Sequence, residues 1–160
     1  MSRVWPLWDV VERLAGAWAL VSAGVFLSFS TFVMAGIGRL GADEGVQVMR
    51  QLNTAAPRSV VFMGTLFGPG LLSAVVAVHA LLAWRGERLL LELAGATAYV
   101  LGVVVVTVAY HVPRNVRLES MDDASAHDEW RSWARRWTGA NHVRTASALL
   151  AGVLMLLGSR

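Results

Sequence analysis

The chain of 160 residues is rich in apolar side chains and poor in charge. Hydrophobic residues make up 56% of it and charged residues 16%, and the mean hydropathy is +0.53, which is high for a soluble domain. The formal net charge of +3 comes from scattered arginines, so no nucleic-acid-binding surface is expected. Cysteine is absent, which excludes disulfides, thiolate metal sites, cysteine nucleophiles and c-type haem attachment. The lipid bilayer is therefore the expected surrounding, and nucleic acid is not an expected partner.

Four apolar runs follow one another along the chain, each near the length of about 20 residues that a membrane-spanning helix needs. The first span is predicted over residues 14–37, where small hydroxyl side chains interrupt the apolar surface. The second is predicted over residues 60–84 and carries Pro69 between two glycines, so a kink and released backbone carbonyls are expected there. The third span is predicted over residues 89–110 and the fourth over residues 140–157.

These runs leave too little chain for a separate soluble domain, so we predict one integral membrane domain over residues 1–160. The predicted fold class is all-α, a four-helix transmembrane bundle with short interfacial helices in the 1–2 and 3–4 connections. Four spans place both termini on one membrane face and the two longer connections on the other, which we call the connection face. We expect a multi-pass protein of a bacterial cell membrane. The arginine distribution leaves its orientation open, and the oligomeric state is open as well, a homo-oligomer included.

Both longer connections show helical periodicity. In residues 38–59, Val46, Met49 and Leu52 recur at helical spacing between charged residues. In residues 111–139, an aspartate can cap a helix that carries a tryptophan stripe at positions i, i+3 and i+7. Amphipathic helices of this kind are predicted to lie flat on the membrane. The stripe consists of Trp130, Trp133 and Trp137.

The four histidines separate by their depth in the membrane. His79 lies about twenty residues into span two, which at roughly 1.5 Å per residue places it near the terminal face. His111 ends span three and His142 begins span four, so both are expected at the connection face, and neither can share a metal or haem with His79. A solvated loop position is expected for His127. The histidine spacings match no compact ligand motif, so no metal ligand is assigned, although a histidine-bound metal ion remains an alternative.

Polar side chains gather where span three ends and span four begins. Residues 141–144 read Asn-His-x-Arg, and residues 111–115 read His-x-Pro-Arg-Asn. Threonines one or two turns inside the membrane can point hydroxyls into the same pocket. Helix capping and helix–helix hydrogen bonding are the alternative interpretation of these hydroxyls and amides, but ionisable groups at membrane depth are costly and favour a function. The threonines are Thr31, Thr65, Thr107 and Thr145.

Four segments of the chain together resemble a known family. They are Phe26-Leu27-Ser28-Phe29-Ser30, Met49-x3-Asn53-x3-Pro57, Val112-Pro113-x-Asn115 and Trp137-Thr138-x2-Asn141-His142-x-Arg144-Thr145. Over about residues 14–155 the chain is similar to the family of small four-helix membrane proteins that contains the anthrone oxygenases. One departure is His111, which stands where asparagine is common before Val-Pro in that family.

The resemblance implies oxidation of an electron-rich polycyclic phenol by dioxygen, in which an anthrone becomes an anthraquinone with no cofactor. A hydrophobic aromatic substrate would enter from the bilayer and lie against the tryptophan stripe, Phe29 and Phe62. His142 would remove a proton, with His111 as the second candidate, and Arg144 would stabilise the enolate oxygen. The predicted substrate-binding residues are Asn53, Asn115, Asn141, Trp137, Thr107, Thr145 and Thr31.

Two other classes of function stay open at this point. One is a non-catalytic membrane protein that binds or passes a small lipophile through the same pocket. The other is a metalloenzyme with histidine ligands. A proton-coupled transporter is not favoured, because no acidic side chain is expected within the spans, where such proteins carry their carboxylate relays.

Overall fold

The computed structural model describes residues 5–83 and 86–159, and within them every regular element is helical. Three π-helical segments interrupt the first and third membrane helices, where the helix widens locally. In chain order the elements are α1 (Trp5–Ser28), a π segment (Phe29–Val33), α2 (Met34–Ile37), α3 (Ala42–Ala55), a 3-10 turn (Ala56–Arg58), α4 (Val60–Ala83), α5 (Glu87–Tyr99), two π segments (Val100–Val105 and Thr107–His111), α6 (Val112–Ser120) and α7 (Asp123–Gly158).

Four of the helical stretches are long and apolar enough to cross a membrane, which confirms the predicted four-helix membrane bundle. The chain is therefore a membrane protein with short helices between its long ones. The predicted end of the second span, at residue 84, lies outside the described residues. The stretches are Leu7–Ile37, Val60–Leu82, Arg88–Ser120 and Asp123–Gly158.

The third and fourth helices extend farther beyond the membrane than the apolar runs indicate. The third helix passes the predicted boundary at residue 110 through a π segment and continues into α6. Helix α7 has 36 residues, or about 54 Å at roughly 1.5 Å per residue, whereas the hydrocarbon core is about 30 Å thick. The first half of α7 therefore stands out from the membrane as a continuation of span four, where we expected a separate helix lying flat.

Helices α3 and α6 pack against this projecting half of α7 to form a cap, which comprises α3, α6 and residues 123–139. The tryptophan stripe of α7 is the centre of the cap, with Trp133 only 2% exposed. Burial against α3 and α6 removes the indoles from both water and lipid, so the stripe is a protein core and not a membrane-facing surface. Around the tryptophans lie Met34, Ile37, Val46, Met49, Leu118 and Ala126.

Polar contacts fasten α3 to the rest of the cap. The guanidinium of Arg50 donates to the carbonyl oxygens of Leu118 and Met121 at 3.2 and 2.6 Å and to the carboxylate of Asp123 at 2.7 Å. Gly45 faces the ring of Trp130, and a Cβ at this position would lie 2.6 Å from an indole carbon. These contacts fix α3 over the connection face of the bundle.

Small residues bring α7 close to its neighbours within the membrane. A Cβ at Gly152 would lie 2.9 Å from the carbonyl oxygen of Gly16 on α1, and a Cβ at Gly95 would lie 3.3 Å from the carbonyl oxygen of Ala151. Alanines on α1 and α7 are fully buried beside these glycines. Close approach of backbones is the usual basis of helix association in lipid, and it places α7 between α1 and α5.

Pro69 lies within α4, and the carbonyl group that it frees is bound by neighbouring helices. Proline lacks an N–H, so the carbonyl of Thr65 loses its intrahelical donor. The hydroxyl of Ser22 donates to that carbonyl, and the hydroxyl of Tyr99 lies 3.0 Å from both Ser22 Oγ and the Leu66 carbonyl oxygen. The released carbonyl expected from the sequence is thus satisfied inside the bundle.

Two acidic side chains lie buried in the half of the bundle near the termini, contrary to our expectation. Glu12 on α1 and Glu92 on α5 are both fully buried. The side-chain Cγ of Glu92 lies 3.4 Å from where a Cβ would stand at Gly158. The expectation overlooked Glu92, which lies within the third span predicted over residues 89–110. Glu12 precedes the first predicted span, but α1 already begins at Trp5 and buries it.

We predict that Gly152→Ala lowers thermal stability while Gly24→Ala does not. A methyl at position 152 would meet the Leu20 side chain at 2.6 Å and the Gly16 carbonyl oxygen at 2.9 Å, whereas nothing lies within 4 Å of a Cβ at position 24. Overpacking of this kind typically costs about 1–3 kcal/mol. Thermal unfolding in detergent, followed by circular dichroism, measures the difference. Equal stability of the two variants would contradict the close contact between α1 and α7.

Candidate active site

A largely apolar cavity of about 490 Å³ lies at the connection face, where the cap meets the membrane helices. Its volume falls within the range of about 300–1,000 Å³ typical of small-molecule sites. Side chains of α1, α3 and α4 supply most of the apolar wall, and the third helix and α7 supply most of the polar groups. The polar and aromatic groups that line the cavity include Asn53, Thr107, His111, Asn115, Trp137 and Arg144.

Arg144 places a cationic side chain in the wall of this cavity, and only 6% of the residue is exposed. Its Nη1 donates to the Thr107 hydroxyl at 3.2 Å, and its Nε donates to Oδ1 of Asn141 at 3.1 Å. Its Cζ lies 4.6 Å from the centre of the Phe26 ring and 5.6 Å from that of Trp137. Among residues 5–83 and 86–159, no carboxylate forms an ion pair with this guanidinium. A buried cation with neutral partners in an apolar cavity favours a ligand oxygen that carries negative charge.

Asn141 and Thr145 belong to the hydrogen-bond network that holds Arg144, and both lie outside the cavity lining. Asn141 is fully buried, and its Nδ2 donates to the Phe26 carbonyl oxygen and to Ser30 Oγ, both at 2.7 Å. The Thr145 hydroxyl lies 3.3 Å from Ser30 Oγ and donates to the Asn141 carbonyl at 3.0 Å. Neither Asn141 nor Thr145 lines the cavity. Both were predicted to bind substrate; in the structure Asn141 contacts the guanidinium directly, and Thr145 contacts Asn141.

His111 is buried at the C-terminal end of its π segment, toward the connection face, and lines the cavity, with 2% exposure. Its ring meets the Trp137 ring edge to face with centroids 4.9 Å apart. The backbone carbonyl of Ala140 lies near the imidazole, but neither ring nitrogen forms a hydrogen bond of good geometry within the described part of the chain. A neutral imidazole with an available nitrogen can accept a proton, donate one or bind a ligand atom.

His142 does not reach the cavity, although it was the leading candidate for the base. It is exposed on the outer surface of α7 and is absent from the cavity lining. Asn141, Arg144 and Thr145 form the inward face of the helix, and a residue directly after Asn141 is turned by roughly 100° away from it. Thr31 is likewise exposed, and its hydroxyl donates to the Leu27 carbonyl at 2.7 Å. Neither residue is placed where it can contact a ligand in this cavity.

The remaining predicted residues lie on the cavity wall. The indole Nε1 of Trp137 donates to Oδ1 of Asn115 at 3.1 Å, which fixes the Trp137 ring against the cavity. Asn53 contributes an amide from α3. Phe29 and Phe62 line the cavity as expected, whereas the other two tryptophans of the stripe lie in the core of the cap.

Two residues near Arg144 were not assigned a role from the sequence. Phe26 presents its ring to the guanidinium and its carbonyl to Asn141, and Ser30 bridges Asn141 and Thr145. The two are four residues apart, which puts them on one helix face. Asn141 and Thr145, which they contact, are also four residues apart. The matching spacing of the two pairs is the sequence signal that relates them.

The four histidines do not come together. His79 stacks on Trp8 with ring centroids 3.7 Å apart, and His127 binds the Asp43 carboxylate at 2.7 Å on the outer side of the cap. Within residues 5–83 and 86–159, no three histidine, aspartate or glutamate side chains are grouped so that they could hold a metal ion. The histidine-bound metal ion considered above therefore finds no group of three such ligands in this part of the chain.

The chain is similar to a known protein family. A family model described as anthrone oxygenase matches residues 58–154, which include the second and third spans and most of α7. Among the site residues, the match contains Thr107, His111, Asn115, Trp137 and Arg144, whereas Asn53 precedes it. None of the curated proteins and none of the solved structures compared matches the chain.

We predict that Asn141→Leu destabilises the protein strongly and that His142→Leu hardly affects stability. Loss of the amide leaves two guanidinium N–H groups and the Phe26 carbonyl without their present partner, and each buried unsatisfied group typically costs about 1–3 kcal/mol. The neighbouring His142 is exposed, so the same kind of replacement there removes no buried contact. Unfolding in a mixed detergent system compares the two variants. Equal loss of stability would contradict the supporting role of Asn141.

Proposed function

The chain belongs to the anthrone oxygenase family, and we propose on this basis that it is a membrane-embedded oxygenase. Its substrate would be a hydrophobic, anthrone-like aromatic compound, and dioxygen would be the co-substrate. The observation that carries the proposal is the presence in one apolar cavity of a buried guanidinium, held by neutral partners, and a buried imidazole whose nitrogens form no hydrogen bond of good geometry within the described residues. The first group suits a developing oxyanion and the second suits proton transfer.

In this proposal His111 replaces His142 as the base. An anthrone carries a ketone across the central ring from a CH₂ group. The imidazole removes a proton from that CH₂ group, and the negative charge passes to the ketone oxygen, where Arg144 donates hydrogen bonds to it. Both groups lie close to the centre of the Trp137 ring, His111 at 4.9 Å and the Arg144 Cζ at 5.6 Å. A planar substrate lying near this ring would bring its two reacting ends to the two groups.

The oxidation balances with one molecule of dioxygen. The enolate gives one electron to dioxygen, and the resulting carbon radical and superoxide combine to form a carbon–oxygen bond. The imidazolium returns its proton to the peroxide, which gives a hydroperoxide. His111 then takes the second proton from the same carbon while the O–O bond breaks, and the hydroxide that leaves is protonated to water. The products are a quinone and water, so the proposal needs no added reductant and no cofactor.

The cavity walls support entry of the substrate from the bilayer. Val25 and Phe29 of the first helix and Phe62 and Met63 of α4 line the cavity, and these segments lie in the stretches that cross the membrane. A hydrophobic aromatic compound concentrates in lipid for the same reason that it fits an apolar wall. The bilayer would therefore serve both as the surrounding of the protein and as the source of its substrate.

A lipophile carrier without chemistry is the second candidate, because an apolar cavity of this size suits passive binding equally well. The buried Arg144 favours the enzyme. A carrier of neutral lipophiles gains nothing from a guanidinium whose burial is costly, whereas an enzyme that creates an oxyanion uses its positive charge at that moment.

We predict that His111→Gln lowers the rate of dioxygen-dependent anthrone oxidation at least about a hundredfold, the usual contribution of a positioned acid–base group. Glutamine keeps a polar side chain of similar reach but does not accept a proton at neutral pH. His142→Gln is the matched control and should keep nearly full activity, because its side chain is outside the cavity. Oxygen uptake with an anthrone substrate in detergent measures both variants.

The reverse result, with activity lost in His142→Gln and kept in His111→Gln, would overturn this assignment. Metal analysis of the same preparations separates the proposal from a metalloenzyme. About one equivalent of copper, iron or zinc, lost in His111→Gln, would favour histidine ligation to a metal over proton transfer.

We also predict that Arg144→Lys reduces kcat more than it changes KM. Lysine keeps the positive charge but replaces a planar fork of donors by a point charge, so it cannot reach Thr107, Asn141 and a substrate oxygen together. Loss of one oxyanion donor typically costs about 10²- to 10³-fold in kcat. Steady-state kinetics on the folded variant test this. A change confined to KM would mean that Arg144 binds substrate and transition state equally.

A further inference from the structure

We propose that Asn53 determines specificity by binding a phenolic hydroxyl group of the substrate, at an edge of the ring system away from the reacting carbon. This inference rests on the proposed function, because it assumes an aromatic ligand in the cavity that His111 and Arg144 share. It adds a second point of polar recognition, on a different helix from those two groups.

The amide nitrogen of Asn53 is a buried donor without a hydrogen-bond partner among the described residues. Asn53 lies in the last turn and a half of α3 and lines the cavity beside the apolar side chains of Met49 and Leu52. Its Nδ2 is buried and forms no hydrogen bond within the described part of the chain. Buried amides are nearly always paired, so a ligand or a bound water molecule is expected to complete this one.

Asn53 stands at the cap end of the cavity. Helix α3 belongs wholly to the cap, whereas Thr107 and Arg144 lie on helices that continue into the membrane. Arg144 is held toward the membrane side by the Thr107 hydroxyl, one turn deeper than His111. A substrate whose ketone oxygen meets Arg144 therefore extends other parts of its ring system toward α3.

The chemistry of the amide indicates a neutral hydroxyl group. An amide offers an N–H₂ donor and a carbonyl acceptor, and a hydroxyl pairs with either because it both donates and accepts. A carboxylate or phosphate at this end would need a cation, and the cation that lines the cavity, Arg144, is committed at the other end. Asn115, the other amide on the wall, already accepts from Trp137. Asn53 is thus suited to a hydroxyl group at this end of the substrate and not to an acidic group.

The test compares Asn53→Leu with a matched control, Gln51→Leu. Leucine has nearly the shape of asparagine and suits a helix, and Gln51 is exposed on the same helix and is not part of the cavity wall. The probes are anthrone itself and a set of anthrones with a single hydroxyl at each outer-ring position. Two measurements are made: kcat/KM from oxygen uptake, and binding of the corresponding anthraquinones, which are not oxidised further, from quenching of tryptophan fluorescence.

We expect the wild-type protein to prefer at least one hydroxylated isomer by about three- to tenfold, the effect of one neutral hydrogen bond. Asn53→Leu should abolish that preference, because the hydroxyl of the preferred isomer then has no amide to bind. Gln51→Leu should keep the preference.

Retention of the preference in Asn53→Leu, or an equal loss for all probes, would overturn the inference. The absence of any preference in the wild-type protein, or of binding of any quinone, would overturn it as well. If the wild-type protein oxidises no anthrone but binds a hydroxylated quinone in an Asn53-dependent way, the inference stands and the proposed function fails.

Discussion

The arrangement of this site depends on the hydrogen bonds that hold the buried guanidinium of Arg144. A cation at membrane depth has no water to solvate it, so the protein must supply hydrogen-bond acceptors from several directions. Asn141 supplies one from α7 itself and is in turn bound to Phe26 and Ser30 of the first helix. Thr107 supplies another from the third helix. Three of the four membrane helices therefore meet at this side chain, and the position of each is coupled to the others.

Trp137 connects this polar centre to the cap. Its indole belongs to the hydrophobic cluster of the cap and also forms a wall of the cavity. The N–H of the same ring donates to Asn115, and the side chains of Arg144 and His111 both lie against the ring. A change in the packing of the cap would thus move the surface against which we propose that the substrate lies. The packing of the cap and the packing of the membrane bundle are therefore coupled at Trp137.

The membrane helices and most of the wall residues could be predicted from the sequence, because long apolar runs and clustered polar side chains are direct signals. The inward direction of particular residues was harder to predict. Tyr99, Val103, Thr107 and His111 are all buried, although four-residue steps in an α-helix accumulate a rotation of roughly 120° over this distance. The wider turns of the two π segments absorb that rotation. Nothing in residue type or spacing marks a π segment, so His111 could not be ranked above His142 from the sequence.

The chemistry we propose explains why the groups around Arg144 are neutral. A carboxylate beside the guanidinium would stabilise the free protein but would also cancel the positive potential that an enolate needs. Asn141, Thr107 and the ring of Phe26 orient the cation without neutralising it. Electrostatic interactions strengthen in a medium of low polarity, and the cap and the lipid exclude water from this site. The unneutralised charge is therefore costly before substrate binds. It is most effective when the oxyanion forms. The unneutralised charge that is costly in the free protein is therefore the property that would lower the barrier to proton removal.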